Sequence, residues 1–227
     1  GPGRFSVMQD EETFLDTLRG SESAPHAVRP VERSALDHVL DTYESAKLTG
    51  QTFSNRLEAS RMRDFDFPDS YLGQQLRSAA RLMDAGVEVP VFKVMHAGFD
   101  THEAQPDMHA FLLEELSTAV TAFSKALKAM GRWEETTIVT YSEFGRTARE
   151  NGSAGTDHGT AAPVFVAGGS VKGGFEGARV DLTRLEDDDL VHTTDYRALY
   201  DALLTDLWGI DAPIFKDFRA APLRLLS

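Results

Sequence analysis

The sequence contains no cysteine among its 227 residues. Disulfide bonds, thiolate metal ligands and cysteine nucleophiles are therefore excluded. No run of about 18 apolar residues occurs, so no membrane-spanning segment is predicted. No signal peptide stands at the start of the sequence. Any chemistry must therefore rely on oxygen- and nitrogen-bearing side chains.

Basic residues are scarce relative to acidic ones, with 23 Lys and Arg against 36 Asp and Glu and a formal net charge of −13. An acidic surface repels the phosphates of nucleic acids and of anionic membranes, so neither is a predicted partner. A bound cation can invert the local field, so a small anionic substrate remains compatible with this charge. The apolar content of 41% is ordinary for a globular protein and allows a sizeable core.

Two different patterns of apolar residues divide the chain. Helical spacing predicts three helices early in the sequence, over 34–48, 52–63 and 71–85. Short apolar runs later in the sequence predict three strands, over 91–96, 136–141 and 163–167. Two further helices are predicted, from Asp107 to Met130 and over 195–208. We therefore expect a helix-rich segment, 1–86, packed on an α/β core, 87–227, as one structural domain or as a fragment of a longer one.

Ligand-type side chains follow the predicted strands. A strand, a crossover helix and a second strand should pair in parallel, which brings the carboxyl ends of the strands to one edge of the sheet. Ligand sites of open α/β sheets lie at that edge. The segments that follow the strands or fill the long loop after them are Gly98–Gln105, Ser142–Thr147 and Gly155–Gly159. We expect these three segments to lie together.

The chemistry of these segments indicates a metal site. Asp100 and His102 are two residues apart and can point to the same side of an extended loop. With His158 they would supply three ligands suited to zinc, manganese or iron, and would leave a coordination position for water or a substrate oxygen. Asp157 is a further candidate ligand. Taken singly, each residue also fits an ordinary turn or surface position, but the convergence of three segments favours a site.

Two more residues of the middle segment are candidates. Glu143 could bind a second metal or orient a ligand histidine. Arg146 offers a fixed positive fork for a phosphate or sulfate group and is the candidate catalytic residue, with a structural pairing to Glu143 as the alternative. The acidic run 186–189 is interpreted as a solvated loop, with calcium binding as the alternative. The histidines interpreted as non-ligands are His26, His38, His96, His109 and His192.

The same segments carry a family resemblance. The segment Gly98–Gln105 resembles a GWDTHxxQ motif, with Phe99 in place of the usual Trp. The other matches are to SEFGRT at Ser142–Thr147, GTDHG at Gly155–Gly159, VKGG at Val171–Gly174 and TxDxR at Thr193–Arg197. On these residues the chain resembles a large bacterial family, number 1501 among the domains of unknown function. The resemblance spans roughly residues 70–210.

The resemblance implies the alkaline phosphatase and sulfatase superfamily. It implies a doubly wound, parallel-sheet three-layer sandwich with metals at the strand ends, and hydrolysis of phosphate or sulfate esters. By order along the chain, Asp100, His102 and His158 would form one metal site. Glu143 stands where the superfamily usually has an Asp-His pair, and Phe144 in the histidine position weakens the case for a second metal. The implied cofactor is a divalent metal, with zinc as first choice and manganese or calcium as alternatives.

The chain also departs from the family. Members are typically nearly twice as long, and their N-terminal half carries the nucleophile. No matching segment is found in residues 1–90, so the chain is interpreted as a C-terminal fragment, a truncated paralogue or one piece of a split protein that needs a partner chain. Two functions follow: a metal-dependent hydrolase of small anionic esters, or a non-catalytic metal-binding or scaffold protein. Export signals of family members imply a periplasmic or secreted location, with the cytoplasm left open.

Overall fold

The computed structural model describes residues 52, 54–87, 89–210, 215, 218 and 223–226. The helix predicted over 34–48 lies outside these residues, as do His26 and His38. The chain divides into two compact units. One comprises Gly1–His96 with Thr118–Ala126, and the other comprises Ala97–Ser117 with Leu127–Ser227. The domain boundary predicted at residue 86 remains a prediction.

The first unit contains a helical stretch over 54–58, a 3₁₀ helix over Arg61–Asp64 and helix α1 over Tyr71–Asp84. The prediction of a single helix over 52–63 is therefore wrong, because the helical stretch ends before Ser60 and a separate 3₁₀ helix follows. The Ser60 hydroxyl accepts a hydrogen bond from the Met62 N–H and so begins a new turn. The helix predicted over 71–85 is confirmed, and Ser70 caps its first turn.

The strand predicted over 91–96 does not form a ladder within the described part of the chain. Its side chains alternate between exposed and half-buried, whereas the apolar run predicted a buried strand. The side-chain amide of Gln75 takes the place of a neighbouring strand at Met95. It accepts from the Met95 N–H at 3.0 Å and donates to the Met95 carbonyl at 2.7 Å. The prediction failed because an apolar run does not specify a backbone partner.

Helix α2 spans Gln105–Met130, and its central residues belong to the first unit. It begins before the predicted cap Asp107, at Ala104, which adopts a left-handed conformation with φ of 43° and makes no side-chain cap. It ends at Gly131, with φ of 72°, as the sequence predicted. Its buried residues combine part of the predicted stripe with small residues: Leu112, Ala119, Ala122, Phe123, Ala126 and Leu127.

The described residues of the second unit form three two-stranded antiparallel sheets and helix α3, Tyr196–Trp208. The strand pairs are β1 Thr137–Val139 with β4 Val166–Gly168, β2 Gly145–Arg146 with β3 His158–Gly159, and β5 Leu185–Glu186 with β6 Asp189–Leu190. The mixture of helices and strands is confirmed. The described strands pair antiparallel, and no parallel three-layer sandwich is evident among them. The parallel pairing was predicted from strand 91–96, which forms no ladder.

Helix α3 lies against the β1–β4 pair. Leu199 and Leu203 of this helix form a buried cluster with Leu225, and Val139 and Val166 of the two strands pack against it. The helix begins at Asp195 and ends at Gly209, close to the predicted bounds 195–208. Among the described residues, no helix is both long enough and apolar enough to cross a membrane.

Candidate metal centre

Two irregular segments of the second unit meet through their backbones. One comprises residues 97–104, which we call the Asp100 segment, and the other comprises residues 151–157, which we call the Asn151 loop. The N–H groups of Ala104 and Gln105 donate to the carbonyls of Ser153 and Ala154 at 3.1 and 3.0 Å. At Gly155 a Cβ atom would lie 2.3 Å from the His102 carbonyl oxygen. Glycine therefore allows the two segments to approach this closely.

A short ladder brings His158 to the SEFGRT motif. In the β2–β3 pair, Arg146 lies opposite His158 and Gly145 lies opposite Gly159. The Thr147 N–H extends the contact by donating to the Asp157 carbonyl at 3.1 Å. The long loop predicted between the second and third strands therefore contains a hairpin-like ladder, which fixes His158 relative to the motif.

Arg146 links its own motif by hydrogen bonds to the segments Gly98–Gln105 and Gly155–Gly159. Its guanidinium donates to the Thr156 carbonyl at 2.6 Å and to the Phe99 carbonyl. Thr156 in turn donates to the side chain of Gln105 at 3.0 Å, and Gln105 donates to the buried Thr101 hydroxyl at 3.0 Å. Within the described residues, Arg146 is thus bonded to carbonyls of the segments that carry Asp100 and His158. Its catalytic role remains a prediction.

Asp100, His102 and His158 form a triangle of ligand atoms, and each pair lies within 4.8 Å. Asp100 Oδ1 lies 2.9 Å from His102 Nε2 and 2.7 Å from His158 Nε2, and the two Nε2 atoms are 3.1 Å apart. Metal–ligand bonds of about 2.0–2.2 Å at octahedral to tetrahedral angles require ligand separations of roughly 2.8–3.6 Å. The donor set and the spacing therefore fit a divalent metal after a small expansion of the triangle.

An aromatic ring supports His158 from one side. The Phe144 ring stacks on the His158 imidazole with centroids 3.8 Å apart and an interplanar angle of 11°. The Arg146 guanidinium lies 5.2 Å from the centroid of the Phe144 ring. Because a stacked ring restricts rotation of its neighbour, Phe144 helps to hold the His158 Nε2 atom in the triangle.

Asp157 lies outside the triangle, although the sequence suggested it as a ligand. Its Oδ1 atom is 3.4 Å from His102 Nδ1, the ring nitrogen on the side away from Asp100. The Asn151 side chain donates to the same Asp157 oxygen at 3.2 Å. Asp157 therefore contacts a candidate ligand rather than sharing the ligand position.

The two aspartates of the site are held in their charged form. A hydrogen bond to His158 lowers the pKa of Asp100 below its ordinary value, and His102 adds to the effect against a smaller cost of burial. The pKa of Asp157 is also lowered, mainly by the hydrogen bond from the Asn151 side chain and next by the hydrogen bond to His102. Ionised carboxylates are the form that attracts a cation, so the site is charged for metal binding at neutral pH.

The triangle is open to solvent. The side chain of Asp100 is 65% exposed and those of His102 and His158 are 44% and 46% exposed, so a small molecule can reach the ligand atoms. Glu143 is exposed and is not part of this group among the described residues. Its role at a second metal or beside a ligand histidine remains a prediction. His109 packs edge-on against Phe99, and its interpretation as a non-ligand remains a prediction.

Glu186, Asp187 and Asp188 of the acidic run are exposed, as expected for a solvated loop, whereas Asp189 is half-buried and hydrogen bonded. Asp189 accepts from the Thr160 N–H and the Leu190 N–H, each at 2.7 Å. Burial raises the pKa of Asp189, but the hydrogen bonds from Thr160 and Leu190 outweigh this effect, so the pKa lies below its ordinary value. A Cβ atom at Gly159 would lie 2.5 Å from Asp189 Oδ1. The β5–β6 hairpin is therefore anchored beside strand β3, next to His158.

Sequence reasoning passed over two residues that organise the site. Asn151 was not singled out, although an Asn-Gly pair in a loop is a common turn pattern. Its Oδ1 atom accepts from the Ser153 and Gly155 N–H groups, and its Nδ2 atom donates to the His102 carbonyl at 2.9 Å. Gln105 stood in the first motif without an assigned role. Asn151 holds backbone in place and Gln105 links the hydroxyls of Thr101 and Thr156, and residue type alone reveals neither role.

The fold and the site define a protein of mixed helices and small sheets that carries a candidate metal centre built from three sequence motifs. A family model described as "Protein of unknown function (DUF1501)" matches residues 13–221 of the chain. The chain therefore belongs to this family, and the resemblance read from the motifs is confirmed at that level. No curated protein and no solved structure matches the chain.

Proposed function

We propose that the chain is the metal-binding part of a hydrolase that acts on phosphate or sulfate esters, of the alkaline phosphatase and sulfatase type. The observation that carries this proposal is the exposed triangle of Asp100, His102 and His158. Its Asp-x-His and later His follow the chain order expected for one metal site of that superfamily. Zinc is the first metal to test, followed by manganese and calcium.

The proposal extends to the complete fold and to the location. We propose that the whole domain is a parallel-sheet three-layer sandwich completed by a missing N-terminal half or a partner chain. This architecture is proposed from the superfamily resemblance, because the described elements from β1 to α3 are six short strands followed by one helix. A periplasmic or secreted location is proposed from the family alone.

The residues of the site supply binding and orientation. A divalent metal, when bound, would polarise an ester oxygen and lower the pKa of a water molecule. Asp100 would contribute negative charge to the metal, while His102 and His158 would bind it as neutral imidazoles. Arg146 has five N–H donors, so its bonds to the Phe99 and Thr156 carbonyls leave capacity for an anionic group of the substrate.

The hydroxyls within the motifs are engaged elsewhere. Thr101 and Thr156 bond to Gln105. The Ser142 hydroxyl donates to the Phe144 carbonyl at 2.7 Å, and that of Thr147 donates to the backbone. This arrangement supports a nucleophile that is either water or a group from outside the described residues.

The test begins with metal content. The protein is loaded with zinc or manganese, the bound metal is measured by elemental analysis, and hydrolysis of aryl phosphates and aryl sulfates is followed. We expect one metal per chain, lost in His102→Ala and His158→Ala and retained in His192→Ala, a matched change at an exposed histidine outside the triangle. Retention of full metal content in His158→Ala would refute the site.

The competing function is a non-catalytic metal-binding or scaffold protein. The engagement of the motif hydroxyls favours it, because a hydrolase of this type ordinarily attacks with a dedicated nucleophile. One bound metal without turnover of either ester, also after a longer chain with the N-terminal half is assayed, would establish this alternative. Turnover abolished by His158→Ala would exclude it.

A further inference from the structure

The His102 ring is contacted at both of its nitrogens. Nε2 faces the triangle, 2.9 Å from Asp100 Oδ1 and 3.1 Å from His158 Nε2. Nδ1 faces Asp157 Oδ1 at 3.4 Å. A neutral imidazole carries one proton, and a carboxylate can only accept. Asp100 on the Nε2 side and Asp157 on the Nδ1 side can therefore each accept this proton, and only the form with the proton on Nδ1 leaves the Nε2 lone pair free for a metal.

Asn151 fixes the atom that faces Nδ1. Its Oδ1 atom accepts from the N–H groups of Ser153 and Gly155 at 2.9 and 3.1 Å. If the amide were flipped, its Nδ2 donor would face these two N–H donors, so the orientation of the amide is fixed. The Nδ2 group therefore points the other way, where it donates to Asp157 Oδ1 at 3.2 Å and to the His102 carbonyl at 2.9 Å. One amide thus holds both Asp157 and the backbone of His102.

We propose that Asp157, oriented by Asn151, is a positioning residue that keeps the proton of His102 on Nδ1 and so presents Nε2 to a metal. The inference rests on the proposed metal site and adds to it a group that binds neither the metal nor the substrate. Carboxylates that accept from the second nitrogen of a ligand histidine orient the ring and raise its basicity. Loss of such a partner typically weakens metal binding by about 10- to 100-fold.

The test compares two substitutions at one position. Asp157→Ala removes the acceptor, whereas Asp157→Asn can retain an oxygen there, because the Asn151 Nδ2 donor selects an acceptor at that point. The matched control is Asp181→Ala, which removes the same charge from an exposed aspartate bonded within its own turn to Thr183. If Asp157→Ala does not fold, Asn151→Ala replaces it and is judged by the same readouts.

Two readouts are measured. The first is the protonated nitrogen of His102 in the metal-free protein, from the ¹⁵N NMR signals of labelled histidine, assigned by their loss in His102→Ala. The second is zinc affinity, from competition with a chromophoric chelator. We expect Asp157→Ala to shift the proton away from Nδ1 and to weaken zinc binding by about 10- to 100-fold. We expect Asp157→Asn and Asp181→Ala to stay close to wild type in both.

The outcomes separate this inference from the proposed function. An unchanged His102 tautomer in Asp157→Ala, or a zinc affinity within about threefold of wild type, would overturn it. A loss beyond about a thousandfold in both Asp157 variants would identify Asp157 as a ligand and would also overturn it. Normal zinc binding without ester hydrolysis would refute only the hydrolase. No zinc binding by the wild-type protein would refute both.

Discussion

A single methyl group added at Gly155 should displace the ligands of the candidate metal centre and weaken metal binding. Gly155 is buried in the Asn151 loop where the loop crosses the Asp100 segment. The Cβ atom of an alanine there would lie 2.3 Å from the His102 carbonyl oxygen and 2.9 Å from the Glu103 nitrogen. Ordinary carbon–oxygen contacts are about 3.3–3.6 Å, so the two segments must separate by roughly 1 Å. Both contacts are with backbone, which cannot rotate away as a side chain would.

The size of the effect follows from the position of the ligands. His158 lies three residues beyond Gly155, and the triangle has edges of 2.7–3.1 Å. Functional sites tolerate displacements of about 0.5 Å, and a shift of about 1 Å can cost roughly 100-fold. We therefore expect Gly155→Ala to lower zinc affinity by about 100-fold. Overpacking should also reduce the free energy of unfolding by about 1–3 kcal/mol.

The assay is zinc competition with a chromophoric chelator, alongside urea unfolding of the metal-free protein. Gly152→Ala is the matched control, because it adds the same methyl group to the same loop at a position with no heavy atom within 4 Å of the new Cβ. The control should bind zinc as the wild type does. Wild-type zinc affinity in Gly155→Ala would show that the close approach at His102 does not hold the ligands, and would refute the reasoning.

Three further predictions test the fold. Leu127→Ala, at a fully buried position of α2, should lower the free energy of unfolding by about 2–5 kcal/mol in urea titrations, whereas Leu113→Ala, 44% exposed on the same helix, should change it by less than about 0.5 kcal/mol. Ser70→Ala removes the cap of α1 and should cost about 0.5–2 kcal/mol in the same titration, and no measurable loss would contradict the capping bond. Hydrogen bonds from Arg197 lower the pKa of Asp195 from 3.8 to about 2, so its stabilisation should be complete above pH 3.8 and lost as the pH falls through 2. The acid dependence of thermal unfolding between those values should be weaker in Asp195→Asn, and an unchanged dependence would contradict the assignment.

The helices were predictable because their determinants are local. The predicted bounds of α1 and α3 agree with the structure to about one residue, since a polar cap precedes each helix and its apolar face repeats at helical spacing. The cap of α2 was missed by three residues, because Ala104 rather than Asp107 begins the helix, in a left-handed conformation without a side-chain cap. That conformation is stabilised by the Ser153 carbonyl, which lies about 50 residues away along the chain.

The strands were less predictable because their partners are distant. Segments 136–141 and 163–167 overlap the observed β1 and β4, but they pair with each other in antiparallel fashion. Segment 91–96 has the alternation of a strand, yet at Met95 it bonds to a glutamine side chain. Residue pattern gives the face that each side chain occupies, whereas pairing depends on which segments the tertiary fold brings together.

The sequence by itself determined the chemical content of this protein. It excluded thiol chemistry, placed carboxylate and imidazole groups in three motifs and identified the family. It also suggested Asp100, His102 and His158 as a ligand set, because residue type and short spacing decide which atoms can bind a metal. Only the tertiary structure decided that these atoms lie within 4.8 Å of one another, that Asp157 contacts the opposite nitrogen of His102, and that Arg146 bonds to the Phe99 and Thr156 carbonyls. These contacts join residues up to 58 positions apart, and such distances are set by glycine-permitted backbone approach and hydrogen bonding, which no local pattern encodes.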